Sequence, residues 1–214
     1  MTDRVQKTLE FLREQFEKPA YFQHNPKQKD YRFEHSVRVA NIAAQIARAE
    51  GMDEELMTIA GLLHDVGYGQ DFPDGYDWNN HGRDGERIAR PFLKTLGLSD
   101  AQVNDICYAI AIHVDDKADF EWERTAFSET VGDADNIDRF DTYRIYETVK
   151  YKGFDELDLD GRVEWLHARL EQLERLRDFR FSTETACELW LEKLDFQAQF
   201  FGRMLKQMEA SQMI

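Results

Sequence analysis

Apolar residues recur along this chain every three to four positions, and no segment alternates apolar and polar at period two for long. That spacing marks amphipathic helices, because a 3.6-residue turn puts positions i, i+3, i+4 and i+7 on one face. The expected fold class is therefore all-α. Val5, Leu9, Leu12 and Phe16 outline an opening helix ended by Lys18-Pro19, and the stretch from about 19 to 31, with Pro19, Asn25 and Pro26, reads as a loop. A helix follows from Tyr31 to Glu50, with Gly51 as its C′ residue and His35, Val39, Ile42 and Ile46 as its apolar stripe. Asp53 is the expected N-cap of the next helix, with Met52 and Met57 as a hydrophobic staple, Ala60 and His64 near its end and Gly67 as its stop.

Tyr68 to Asn80 is rich in Gly, Asp, Pro and aromatic residues, which suits an ordered loop able to cover a site. His81 opens a helix in which Gly85 would admit a close neighbour and Pro91 would cause a bend. Ser99 and Gln102 form a capping-box pattern before the stripe Val103, Ile106, Ile110 and His113. A polar loop at about 114 to 124 leads to a long helix from about Thr125 to Lys150, with Val131, Asp135 and Asp138 along one face. Two further helices fill about 160 to 212, separated near Phe181-Ser182-Thr183. Their stripes, with Trp165, Leu166, Leu170, Leu173, Leu176, Leu189, Leu194, Phe200 and Phe201, read as core.

Composition narrows the class. The 214 residues are 42% hydrophobic and 32% charged, as in an ordinary globular domain, and the formal charge is −15. Such acidity argues against a nucleic-acid polymer or an anionic membrane as partner, since both need clustered Lys and Arg. A small phosphorylated partner stays open, because bound cations invert the local field. Cys107 and Cys187 lie far apart within helical patterns, so both are expected to be buried small hydrophobes rather than a disulfide. The first residues, Met1-Thr2-Asp3-Arg4-Val5-Gln6-Lys7, contain no apolar signal core, and no transmembrane run occurs; a cytoplasmic location is expected.

The chemistry gathers on inward faces. Leu62-Leu63-His64-Asp65-Val66-Gly67 carries an imidazole and a carboxylate at the end of an apolar run, where a buried charge needs a partner. A divalent metal ion would supply one, since neutral imidazole and ionised carboxylate are its ligands. His35, His64, His81 and His113 fall on four successive predicted helices, each on or near the inward face, and Asp135 follows on a fifth. His24 and His167 lack this placement and read as surface or packing residues.

His35-Ser36-Val37-Arg38-Val39-Ala40, then Leu63-His64-Asp65-Val66-Gly67, then Asp133-Ala134-Asp135-Asn136-Ile137-Asp138 resemble, in that order, the signature of the HD-domain superfamily. This is an all-helical fold whose members are mostly metal-dependent phosphohydrolases. His81 with Gly85, and His113, resemble the extra histidines of its two-metal branch, and the run Ser182-Thr183-Glu184-Thr185-Ala186 is similar to the small bacterial HD hydrolases. The resemblance thus covers nearly the whole chain. It implies one HD-type domain over 1–214, a helical bundle with the metal site between core helices at about 31–150 and a C-terminal helical pair at about 155–212.

Carried over residue by residue, the resemblance implies that His35, His64, Asp65 and Asp135 bind one metal ion, and that a bridging Asp65 binds a second with His81 and His113. Asp135 rather than Asp133 aligns with the family's ligand. His64 and Asp65 are the catalytic pair it marks. The ion would be Mn, Fe, Mg, Zn or Ni, one or two per chain. Arg38, Arg83, Lys117 and Arg139 stand near the motifs as candidate phosphate contacts, and Tyr68, Phe72, Tyr76 and Trp78 can stack a base or pack as core.

The implied activity is hydrolysis of a small phosphorylated molecule, with a nucleotide as the expected substrate. The chain lacks the paired acidic residues that follow His-Asp in guanosine-tetraphosphate hydrolases and the Gly-Tyr-Pro element of cyclic-di-GMP phosphodiesterases, so neither substrate is favoured. Two alternatives stay open. A few members with this six-ligand set hold two irons and use dioxygen to cleave a C–C or C–P bond, and a non-catalytic nucleotide sensor would keep the fold. The oligomeric state is open too, a homodimer included.

Overall fold

The computed structural model describes residues 1–211, and among them it contains ten α-helices and no strand. The fold is all-α, as the periodicity predicts. No helix among the described residues is long and apolar enough to cross a membrane. The chain divides into two compact units, Met1–Asp135 and the residues from Asn136 onward. Residue 212, the expected end of the C-terminal pair, lies outside the described residues.

The first unit begins with α1 (Asp3–Phe16), capped by the Thr2 hydroxyl, which accepts from Val5 N. The segment at 19–31 is not the expected loop. It holds α2 (Ala20–His24), and α3 (Pro26–Ala49) starts five residues before Tyr31. The prolines open these helices instead of breaking them: a first-turn N–H has no intrahelical acceptor, so Pro26 forfeits nothing there. Gly51 then ends α3 with φ +72, as a C′ glycine does.

Asp53 caps α4 (Glu54–Leu63) by accepting from Leu56 N at 3.0 Å, and Met57 is fully buried with Met52 packed on the same core. α3 and α4 cross where Gly61 faces Ala40; a Cβ at Gly61 would sit 2.7 Å from the Ala40 Cα. With Ala43 and Ala47 also buried, this small-residue seam lets the two backbones approach closely. His35 and His64 are brought together by that approach.

Helix α4 stops at Leu63, and His64 and Asp65 lead into a 3-10 turn at Val66–Gly69. Gly67 is not the helix stop expected from the sequence. Its φ is not positive, and it is small because a side chain would run into the carbonyl oxygen of His81 at the start of α5 (His81–Leu93). Gly85 faces it from α5, with a Cβ there only 3.2 Å from Gly67 N, in agreement with the close approach expected at that position. Pro91 lies in the last turn of α5, which passes into a 3-10 turn at Lys94–Leu96. The capping box of Ser99 and Gln102 starts α6 (Asp100–Ile112) as predicted.

The single helix expected at 125–150 is two, α7 (Ala126–Arg139) and α8 (Thr142–Tyr151). Asp141 separates them: its carboxylate accepts from Thr142 N at 2.6 Å, starting a new helix where the old one could have continued.

In the second unit α9 (Leu159–Leu176) and α10 (Glu184–Ala210) pack together, capped by Asp158 and Thr183. Their buried residues include Leu166, Leu173, Trp190, Leu194, Phe201 and Leu205. Phe200, expected in the core, is 38% exposed, because its neighbour Phe201 takes the inward position on α10. Cys107 is buried as expected, whereas Cys187 is half-buried with Sγ against the Phe181 backbone.

Candidate metal centre

All six residues of the implied ligand set lie in the first unit, on separate elements that the packing brings to one place. His35 is in α3, His64 and Asp65 follow the last turn of α4, His81 begins α5, His113 caps the C-terminus of α6, and Asp135 is in α7. The side chains of all six are buried.

Three of the histidines repeat one local device. Nδ1 of His64 donates to the Gly61 carbonyl at 2.7 Å, Nδ1 of His81 to Trp78 at 2.5 Å, and Nδ1 of His113 to Ile110 at 2.7 Å. A carbonyl can only accept, so each Nδ1 carries a proton, and in the neutral ring each Nε2 keeps a bare lone pair. Backbone bonds of this kind fix the tautomer and ring orientation of metal-binding histidines.

The Nε2 atoms converge on Asp65. Its Oδ2 lies 3.6 Å from Nε2 of both His35 and His64, and its Oδ1 lies 3.3 Å from His81 and 3.7 Å from His113. One carboxylate oxygen thus faces each histidine pair. Asp135 Oδ1 is 3.1 Å from His35 Nε2. His35, His64 and Asp135 can each offer an atom within 4.8 Å of the others, as can His64, Asp65 and His113.

Electrostatics favour the neutral ring at His64 and the ionised carboxylate at Asp65, and pull His81 the other way. Burial lowers His64 to about 4, with the repulsion of His35 and His113 acting in the same direction, against the attraction of Asp65. Burial would raise Asp65, but His64, His113, His81 and Arg32 outweigh it and hold the carboxyl well below its ordinary range. Burial also opposes protonation of His81, yet the bond to Asp65 raises it overall. Neutral imidazole and ionised carboxylate are the forms a divalent ion takes.

One atom tests the fit. Nε2 of His113 is buried and has no hydrogen-bond partner among the described residues. A buried acceptor left this way is costly unless something unseen completes it. A cation beside Asp65 Oδ1 would, and the residues present therefore fit one or two divalent ions.

Beside the centre, the 66–80 segment folds over α2 and α3 and walls a cleft of about 700 Å³. Tyr68, Phe72, Tyr76 and Trp78, singled out in the sequence, all line it as one aromatic cluster, with Phe72 4.4 Å from Tyr76 and 4.9 Å from Trp78 between ring centres. The wall is tied down at two points. Asp71 accepts from the backbone N–H groups of Ala20 and Tyr21 at 3.1 and 3.2 Å, and the Tyr76 hydroxyl donates to Asp84 on α5.

The basic candidates are not where the cleft is. Arg83 is engaged by Asp115 at 2.8 Å and by Asn80; Lys117 is an exposed side chain 3.7 Å from Asp115; Arg38 is half-buried on α3; and Arg139 is exposed in the second unit. The basic residue that does line the cleft is Arg32, whose Nη1 donates to Asp65 Oδ2 at 2.6 Å and whose guanidinium lies 3.9 Å from the Tyr68 ring centre. The sequence carried a signal for it: Arg32 is one helical turn before His35, on the same face.

The HD domain family matches residues 32–143, a span that begins at Arg32 and contains all six of these residues. Among solved structures, a predicted HD superfamily hydrolase from an uncultured Thermotogales bacterium superposes with a TM-score of 0.66 at 24% identity, over 94% of this chain and 91% of that one. Curated proteins give no match. With more than half of its length matched and the His-Asp centre assembled inside that span, this chain belongs to the HD domain family.

Proposed function

We propose that the chain is a metal-dependent phosphohydrolase acting on a small phosphorylated molecule, a nucleotide, with Mn or a similar divalent ion held at Asp65. The observation that carries this reading is the placement of one Asp65 oxygen toward His35 and His64 and the other toward His81 and His113. The structurally similar Thermotogales protein, a predicted hydrolase, agrees with it.

His35, His64, Asp65 and Asp135 would hold one ion, and Asp65, His81 and His113 a second. A bound divalent ion lowers the pKa of its water toward neutrality and neutralises phosphoryl charge, which is most of what phosphoryl transfer requires. The chain itself keeps the ligand tautomers fixed through the carbonyls of Gly61, Trp78 and Ile110, and keeps the Asp65 carboxylate ionised. The neighbouring cleft supports a nucleotide over a simple phosphomonoester: Phe72, Tyr76 and Trp78 offer ring faces for a base, and Gln28 and Gln70 offer amides for its edge.

The test is phosphate or pyrophosphate release from a panel of nucleotides and phosphomonoesters with Mn present, with dioxygen uptake followed alongside. Release without uptake supports the proposal. Uptake without release would point to a di-iron oxygenase, and tight nucleotide binding with neither to a sensor.

A further inference from the structure

Arg32 stands between the two parts of the site, and its contacts leave it only partly used. Its guanidinium donates to Asp65 Oδ2, the oxygen that faces His35 and His64, and among the described residues it makes no other side-chain hydrogen bond. A guanidinium has five N–H donors in a planar fork. Its side chain is 28% exposed against 4% for Asp65, so one edge meets the buried carboxylate and the rest borders the cleft, stacked on Tyr68.

An arginine in that place is awkward for a metal centre alone. A divalent ion between Asp65, His35 and His64 would bring two positive charges close to a third, and with Asp65 and Asp135 as its nearest acids the centre would carry excess positive charge facing the cleft. An anion lying between the ion and the guanidinium removes the conflict, with attraction on both sides. Among the described residues no other basic residue borders the cleft, and the other charged residues lining it are Asp71 and Asp74.

We propose that Arg32 is the phosphate-positioning residue of this site: it steadies Asp65 when the centre is empty and turns its free donors to a substrate phosphoryl oxygen when the centre is loaded. The proposal rests on the metal-dependent phosphohydrolase reading, and it names the group that fixes the phosphate between the Asp65 centre and the aromatic cleft. A merely structural Arg32 would instead serve to hold Asp65, and the two roles predict opposite behaviour toward the metal.

Calorimetric titration of the full chain with Mn alone, and of the Mn-loaded chain with inorganic phosphate, separates them in wild type, Arg32→Ala and Arg32→Lys. The proposal expects Arg32→Ala to bind Mn at least as tightly as wild type while losing tenfold or more in phosphate affinity, and Arg32→Lys to recover part of that loss. Tenfold weaker Mn binding with unchanged phosphate affinity overturns it, as does a wild-type loaded chain that binds no phosphate. If Arg32→Ala does not keep the wild-type circular dichroism, Arg32→Lys alone decides: it must lower phosphate affinity without lowering Mn affinity. Should the phosphate results hold while no substrate of the panel is hydrolysed, the hydrolase reading fails and the Arg32 assignment stands.

Discussion

Nε2 of His64 lies 3.3 Å from Nε2 of His35, while the other nitrogen of His64 is tied to the Gly61 carbonyl. A proton shared along that contact has to come from His35, and adding one to His64 would turn a second N–H against it.

The consequence is an acid-sensitive metal-free protein. Burial and the neighbouring imidazoles lower His64 to about 4 from an ordinary 6.5, so the unfolded chain takes up this proton first as pH falls. The stabilisation is fully present above pH 6.5 and is lost as pH drops toward 4, by about 3 kcal/mol at most. His81, raised by Asp65, works in the opposite direction, adding stability below pH 6.5 that is lost as pH rises. Asp65, held low, adds its own loss only below about pH 4. In chelator, thermal unfolding should show the midpoint falling between pH 6.5 and 4; a midpoint that rises over that window contradicts this account of His64.

Gly67→Ala should damage the centre through the backbone. The added methyl meets the His81 carbonyl oxygen, which cannot move without shifting the first turn of α5 and the His81 ring with it. The cost should reach or exceed the upper end of the roughly 1–3 kcal/mol range for overpacking, with weakened Mn binding. Gly202→Ala, where a Cβ meets nothing within 4 Å, is the control and should be neutral or stabilising by up to ~1 kcal/mol. Unfolding midpoints and Mn titrations of both variants check this, and equal behaviour of the two would refute it.

Periodicity and caps made most of this fold legible in the sequence. Asp53 and Ser99-Gln102 each announced a helix start through a side chain that accepts from the backbone three residues on. The six ligand candidates were legible because a buried ionisable residue on an apolar stripe has no cheap explanation. What was hidden depended on contacts between distant segments. Nothing local says that Gly67 faces His81, or that Arg32 reaches Asp65, thirty-three residues on. The helices at 20–31 were masked by prolines whose meaning reverses with their place in a helix, and the break at Asp141 by a cap inside an unbroken periodic run.

The aromatic cleft predicts a kinetic split. Base stacking on one aromatic ring is worth about 1–3 kcal/mol, or roughly 5- to 150-fold. Trp78 is 55% exposed and Phe72 sits against it, so either can be shortened with little loss of core. Trp78→Ala and Phe72→Ala should raise KM for a nucleotide substrate about tenfold or more, leaving kcat within a few-fold and Mn affinity unchanged. Equal losses in kcat and in Mn binding would mean that the 66–80 segment props the metal centre instead of receiving substrate.

Asp65 faces both histidine pairs, and removing its carboxylate takes a ligand from each. The most direct measurement is Mn-dependent phosphate and pyrophosphate release by wild type and Asp65→Ala, with bound Mn counted in the same samples. Wild type should release product with up to two Mn per chain, and a folded Asp65→Ala should show neither turnover nor the second Mn. Undiminished release by Asp65→Ala would contradict this.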